Sequence, residues 1–423
     1  MFVILYTIII GIFLFINSKI YRKKINYLNI FLTMFYIVVC FSSNGLYGFE
    51  VPSNKTYWYL LLALFSIEIF SILFMSIKIN KKNIIKDNPI NTKILIIIAS
   101  IVTILMIPST IEGIKILFEY GFTAVRSAAF SDDVYSSYTK IMLIYILNPL
   151  NKAVFIYSLL YYLREKKGKI PLIITIFNTI QTIVTFGGRS VVVELALIIC
   201  IAIYIRNKGK VFQIVRKNLK IIILLVILFT IVINITKERS LNKDEGLLFN
   251  LYSYYVGSIH LFDIHLNNPS ISLLDGNNLL YGKAMLNPFI DILKITLKLI
   301  GINTNMLSGI EEINIQVQQY IQVTNTIKMN NNVTFMYVCL RDFDILGLII
   351  GPMYIALWLA FIYKQYVNNG SIKNEALYIY MISNLPYFIF EFFINKTPFV
   401  LTIIFIIVLD KLICNNILKN RRN

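Results

Sequence analysis

Charge is scarce in this chain. Only 15% of its 423 residues are Asp, Glu, Lys or Arg, where soluble domains carry about a quarter. The runs 221–233 and 398–409 contain none at all. Thiols are equally few: Cys40, Cys200, Cys339 and Cys414 lie in or beside apolar segments without paired spacing, which argues against a disulfide framework or a cysteine metal knuckle. The two histidines, His260 and His265, are too far apart in register to share a helix face, so a two-histidine metal site is disfavoured. No Walker motif, Rossmann fingerprint or HExxH run is present. Neither a metal nor any other cofactor is expected, and a reaction here would draw its energy from a substrate that arrives already activated.

What replaces charge is apolar length. The chain is 57% hydrophobic with a mean hydropathy of +0.71, and a bilayer core of roughly 30 Å needs about 20 mostly apolar residues per crossing helix. Spans are predicted at 1–17, 27–47, 56–77, 93–111, 139–163, 170–187, 189–205, 219–235, 345–366, 375–394 and 398–414. The fold class is therefore an all-α, polytopic helical bundle of about eleven membrane helices, read as a single domain over 1–423. No basic region precedes the first apolar run and no small-residue cleavage site follows it, so a removed signal peptide is not expected.

The net charge of +18 raises nucleic acid as a partner, but its placement argues against one. Lys and Arg cluster in short connections between apolar runs, as cytoplasmic loops do, and not along a stripe of a soluble fold. With the cluster 19–24 inside, alternation also places 78–92, 164–169, 206–218, 364–374 and the tail 411–423 inside. Those segments hold more than half of the 40 Lys and Arg. The N-terminus is then outside and the C-terminus cytoplasmic. The heavy use of Ile, Lys and Asn points to an AT-rich bacterial genome.

Two segments fall on the outer side. The first, 112–138, reads as an interfacial helix followed by a turn. The second is a large external loop, 236–333, in which Met285, Phe289, Ile292, Leu293, Thr296, Leu297 and Ile300 recur at helical spacing. That stripe predicts an amphipathic helix on the membrane face or on the bundle, and a second helix is expected over 247–266.

Candidate chemistry gathers at the external rim. Arg189 sits in the turn Thr185-Phe186-Gly187-Gly188-Arg189-Ser190, where the glycines permit a tight connection and a guanidinium fork suits paired phosphate oxygens. Arg126, Arg239 and Arg341 also lie near the outer surface, and the four together can surround a pyrophosphate. Each has a bland alternative, an arginine snorkelling or in a surface salt bridge. His260 and Asp263 stand three residues apart, a spacing that can orient an imidazole for proton transfer. The alternative is a hydrogen-bonded polar residue. Asp342 and Asp344 read either as a D-x-D pair or as carboxylates at the start of a helix, the second being favoured. Tyr252, Tyr254 and Tyr255 can stack on sugars or simply mark the interface. Glu68, Glu194 and Glu391 are expected at membrane depth, where ionisable residues are often functional.

Several of these pieces resemble the O-antigen or oligosaccharide repeat-unit polymerases (Wzy type). They are the Gly-Gly-Arg-Ser hairpin at 187–190, Tyr254, Tyr255 and Gly257 of a Tyr-Tyr-x-Gly run, the pair Tyr281-Gly282, and the stretch from Asn332 through Asp342-Phe343-Asp344-Ile345-Leu346-Gly347. The likeness covers most of the chain as a layout of many spans with one long external loop. The family often has Asp-Phe-Gly entering the late span; here Asp344 stands in place of that glycine. The resemblance implies metal-independent glycosyl transfer outside the bacterial cytoplasmic membrane. A growing glycan on undecaprenyl pyrophosphate passes to an incoming lipid-linked repeat unit. It implies undecaprenyl-pyrophosphate-linked glycans and membrane lipids as partners, with a flippase and a chain-length regulator beside them. In that scheme the four arginines hold pyrophosphate, His260 is the first choice of base and Asp342 the second, and Tyr254 and Tyr255 contact sugar. The rivals are an O-antigen ligase and a lipid-linked oligosaccharide flippase.

Overall fold

The structure, a computed structural model, describes residues 2–21, 26–77, 91–130, 134–188, 190–207, 247–274, 276–302, 307–324, 327–330 and 332–420, with single positions between 223 and 233. The predicted span 219–235 and the start of the long loop therefore lie largely outside the described residues. The chain is overwhelmingly helical, and six of its described helices are long and apolar enough to cross a membrane. It divides into two compact units, one of 1–81, 246–367 and 384–397, the other of 82–245, 368–383 and 398–423.

The first unit contains α1 (Phe2–Ile20), α2 (Tyr27–Ser42) and α3 (Asn54–Ser76). On α1, Ile4, Ile8, Ile12 and Phe15 form an exposed stripe, while Tyr6 donates to the Tyr57 carbonyl at 2.6 Å and the Asn17 amide to Glu68 at 3.0 Å. Apolar residues thus face outward and polar ones pair inward, the arrangement a lipid surround favours. Lys364 donates to the carbonyls of Phe74 and Ile77, closing the C-terminus of α3 as a basic residue can.

The long segment before the late spans is helical in short pieces. The single helix expected over 247–266 is two, α4 (Leu247–Tyr255) and α5 (Gly257–Asn267), interrupted at Val256. A Cβ on Gly257 would come within 2.8 Å of the end of the Met329 side chain, which would have to move aside. After the short turn α6 (Pro269–Ser272) comes the predicted amphipathic helix, α7 (Asn287–Leu299). Its Phe289 and Leu293 are about 60% exposed, so among the described residues that apolar face is not covered. Asp291 on the other face accepts from Asn287 and Thr397, each at 2.7 Å. Helix α8 (Gly309–Val317) opens with a capping box made by Ser308 and Glu311. Strands β1 (Ile321–Gln322) and β2 (Lys328–Met329) pair antiparallel.

Helix α9 (Phe335–Asn369) begins ten residues before the span predicted at 345–366 and bends sharply inside: Phe343 lies at φ −144°, ψ 22° and Asp344 at φ 50°, ψ −143°. Asp344 thus adopts a backbone conformation that glycine tolerates and other residues rarely do.

The second unit contains α10 (Thr92–Phe130), α11 (Ser137–Glu165), α12 (Lys169–Phe186), α13 (Ser190–Arg206), α14 (Ile372–Ser383) and α15 (Thr397–Asn420), numbered here by unit. The predicted interfacial segment after 111 is a continuation of α10, bent at Gly121 (φ 79°). α10 and α12 pack closely because Gly113 has no side chain: a Cβ there would stand 2.6 Å from the Val184 carbonyl. Small residues of this kind draw membrane helices together. Asn178 joins three helices, accepting from Thr103 at 2.6 Å and donating to the Ala99 carbonyl and Asn151, both at 3.1 Å.

The span predicted at 375–394 is a correction. α14 stops at Ser383 and is followed by 3₁₀ turns over Leu385–Ile389 and Phe393–Asn395. Its 12 residues reach about 18 Å, short of a bilayer core. Pro386 supplies the break, because its ring and missing N–H end a helix at the preceding turn. Near the other end of α14, Glu375 accepts from Arg164 at 2.9 Å and from Arg206. Arg164 near the end of α11, Arg206 at the end of α13 and Glu375 in the first turn of α14 therefore meet at one end of this unit.

Candidate functional site

In the first unit, Asp342 is fully buried. Its Oδ1 accepts from the Ala284 amide at 3.0 Å and its Oδ2 from the Met285 amide at 2.7 Å, with the Gly282 amide also bonded to it. Arg341 is 2% exposed. Its Nη1 donates to the carbonyls of Leu273, at 2.9 Å, and Asn278, while its Nε has no hydrogen-bond partner among the described residues. Backbone bonds from Leu280 to the Arg341 carbonyl and from Tyr281 to the Asp342 carbonyl complete the contact. Arg341 and Asp342 thus pin the 273–285 loop to the first half of α9. Asp342 does not start the late span; it ends the short helix before the bend, and its oxygens are occupied by amides.

His260 is buried on α5, its ring 5.0 Å from that of Phe49. The spacing with Asp263 does not become a hydrogen-bonded pair: Asp263 Oδ1 accepts from the Ser53 amide at 2.9 Å, the Ser53 hydroxyl at 2.5 Å and the Thr56 hydroxyl at 2.7 Å, capping α3. Burial lowers the His260 pKa to about 4, against the opposing pull of the Glu50 backbone and the Asp263 charge. His265, beside Tyr337, is lowered by burial to about 4 as well. Both imidazoles are neutral at pH 7, and each is a weak base. Tyr254 is exposed, whereas Tyr255 is half-buried with its ring 5.8 Å from Phe390.

In the second unit, Gly187 ends α12 in the left-handed region at φ 60°, its amide bonded to the Ile183 carbonyl at 2.8 Å. Glycine there caps the helix and also admits a neighbour: a Cβ on it would lie 3.1 Å from the Arg126 nitrogen and 3.3 Å from the Arg126 Cβ. Gly187 and the exposed Arg126 are thus adjacent. Arg189 itself and Arg239 lie outside the described residues.

Beneath that turn is a cavity of about 160 Å³ lined by Ile144, Asn148, Asn151, Lys152, Phe155, Thr179, Thr182, Val191, Glu194, Leu195, Ile198 and Pro398. Lys152 and Glu194 pair across it at 2.5 Å. Glu194 is 5% exposed, and its second carboxylate oxygen has no hydrogen-bond partner among the described residues. The Thr182 hydroxyl donates to Asn148 at 2.8 Å, and the Asn151 amide reaches Thr179 at 3.3 Å. The wall from α11 follows a π-helical turn at Met142–Leu147, a distortion that often accompanies functional sites. The sequence reading singled out Glu194 but missed Lys152. The signal was present: Asn148, Asn151 and Lys152 at i, i+3 and i+4 put three polar groups on one face of an apolar span.

Among the described residues, no group of three or more His, Cys, Asp and Glu is placed to hold a metal ion, and Cys40, Cys200 and Cys339 are free thiols. The fold defines the class: an all-α protein with several helices able to cross a membrane, and therefore multi-pass. Comparison with protein-family models, curated proteins and solved structures found no match.

Proposed function

We propose that the chain is a membrane glycosyltransferase that polymerises undecaprenyl-pyrophosphate-linked oligosaccharide repeat units into a surface polysaccharide, on the external face of the bacterial cytoplasmic membrane. The observation that supports this reading most is the contact of Gly187 with the Arg126 backbone. It brings two segments, each carrying an arginine chosen from sequence as a phosphate ligand, to one end of one unit. That end is opposite Glu375 and its two arginines, because α12 runs from one to the other. With the Glu375 end cytoplasmic, Arg126 and the Gly-Gly-Arg turn face the external side.

In such a reaction a pyrophosphate leaves, and preorganised cations lower its barrier. Arg126 and Arg189 fill that role. Arg341, buried and bonded to the carbonyls of Leu273 and Asn278, holds the 273–285 loop instead. A neutral His260 can accept a proton, but weakly. Tyr254, exposed on α4, contacts a sugar face in this scheme. The proposed topology, with the N-terminus outside and the C-terminus in the cytoplasm, counts 372–396 as one crossing made of helix α14 together with the turns that follow it.

The test is reconstitution of purified protein with an undecaprenyl-pyrophosphate-linked repeat unit from the source strain, comparing wild type with Arg189→Ala. A ladder of longer glycans, lost in a variant that still folds, is the expected result. A ladder unchanged by the substitution removes Arg189 from the site. Transfer only to a different acceptor identifies a ligase, and passage of the lipid-linked glycan across the bilayer without extension identifies a flippase.

A further inference from the structure

The Lys152–Glu194 cavity lies close to the arginine turn along the chain. Glu194 is four residues into α13 from Ser190, and Thr182 four residues before the end of α12, so each stands about 6 Å of helix rise from that turn. The cavity, about 160 Å³, has room for about five waters at roughly 30 Å³ each, comparable to a single sugar ring. Its charge and lining select among ligands. Lys152 and Glu194 neutralise one another, so the cavity carries no net charge. An anion entering it would meet the unpartnered Glu194 oxygen, and a cation would meet the Lys152 ammonium. What the site lacks is a donor for that buried oxygen, since an unsatisfied carboxylate oxygen is costly to bury. Asn148, Asn151, Thr179 and Thr182 add amides and hydroxyls, and Phe155 adds an apolar surface.

We infer that this cavity is a binding site for one neutral, hydroxyl-rich ring, a single sugar residue. A ring hydroxyl donates to the free oxygen of Glu194, Lys152 and the asparagines bond other hydroxyls, and the C–H face of the ring rests on Phe155. The site's part in catalysis, holding a sugar close to the phosphate held by Arg126 and Arg189, rests on the reading proposed above. Binding itself does not.

The experiment uses the full chain in phospholipid nanodiscs, free of sugar-based detergents. Saturation-transfer NMR is recorded with the methyl glycosides of glucose, galactose and N-acetylglucosamine, then with inorganic phosphate as competitor. Wild type is compared with Glu194→Gln, which keeps the shape and removes the charge, and with Thr182→Val, which removes one hydroxyl. Helical content by circular dichroism identifies variants that fold. The expected result is saturable transfer to at least one glycoside, insensitive to phosphate and weakened about tenfold or more in both variants. Absence of transfer from every glycoside overturns the inference, as does competition by phosphate or binding unchanged in both folded variants. Ladders in the reconstituted assay without Glu194-dependent binding would sink the pocket and leave the transferase. Glu194-dependent binding without ladders would do the reverse.

Discussion

Replacing Asp344 with glycine should stabilise this protein. At φ 50°, ψ −143° the Asp344 Cβ crowds its own backbone, and a non-glycine residue held in such a region costs about 1–3 kcal/mol. Glycine removes that strain but enlarges the freedom of the unfolded chain, which offsets about 0.4–1 kcal/mol. The side chain is exposed, so no buried contact is lost. The net gain expected for Asp344→Gly is about 0.5–2 kcal/mol, or a rise of roughly 1–4 °C in melting temperature if the usual scaling holds. Asp344→Ala is the control, because it deletes the carboxylate and retains the Cβ; it should gain nothing. Thermal unfolding of the three proteins in one lipid or detergent, followed by tryptophan fluorescence, measures the differences. Equal stability of wild type and the glycine variant, or an equal gain in glycine and alanine, would refute the argument from backbone strain. A glycine variant that is more stable but, under the proposed function, extends glycans more slowly in the reconstitution assay would show that the carboxylate serves that reaction, at the expense of stability.

Asp342→Asn should destabilise by about 2–4 kcal/mol, since an amide cannot accept from all three backbone N–H groups and leaves the buried Arg341 without its neighbouring charge; unfolding midpoints equal to wild type would contradict the pinning role. His260 and His265 each titrate near 4 when folded, against 6.5 for the free side chain. Their contribution is therefore complete above pH 6.5 and lost as pH falls toward 4, by up to about 3 kcal/mol for each. Melting curves at pH 7 and 4.5 should show a smaller drop for His265→Asn than for wild type, and parallel drops would refute this. Gly113→Ala should separate α10 from α12 and cost about 1–3 kcal/mol, readable as a lower melting temperature; a neutral substitution would mean that the two helices are not so closely packed.

The helices were the most legible part of the sequence, because a membrane span needs only length and apolarity, and both are local. α1, α3, α11 and α12 match their predicted spans within a few residues. The 375–394 span failed because apolarity alone does not distinguish a crossing helix from a shorter buried helix followed by turns, although Pro386 marked the break. The arginines were legible as a set but not in their uses. Whether a rim arginine faces solvent or a loop carbonyl depends on how 273–285 folds back, which no spacing near Arg341 records. The same holds for Asp263, whose partners Ser53 and Thr56 lie more than 200 residues away. The strained backbone at Asp344 was likewise not legible, because nothing in the local sequence asks a non-glycine residue to take a positive φ.

Helix α14 has a consequence for biogenesis. It is too short to cross a bilayer and nearly all of it is buried, with Glu375 held by Arg164 of α11 and Arg206 of α13. A segment of that kind gains little by entering lipid alone, because its carboxylate would arrive without a counter-charge. It becomes favourable only after α11 and α13 are in place to receive it. The C-terminal part of this unit is therefore assembled by docking onto helices already inserted, and a chain from which α11 or α13 is deleted would leave α14 without a site.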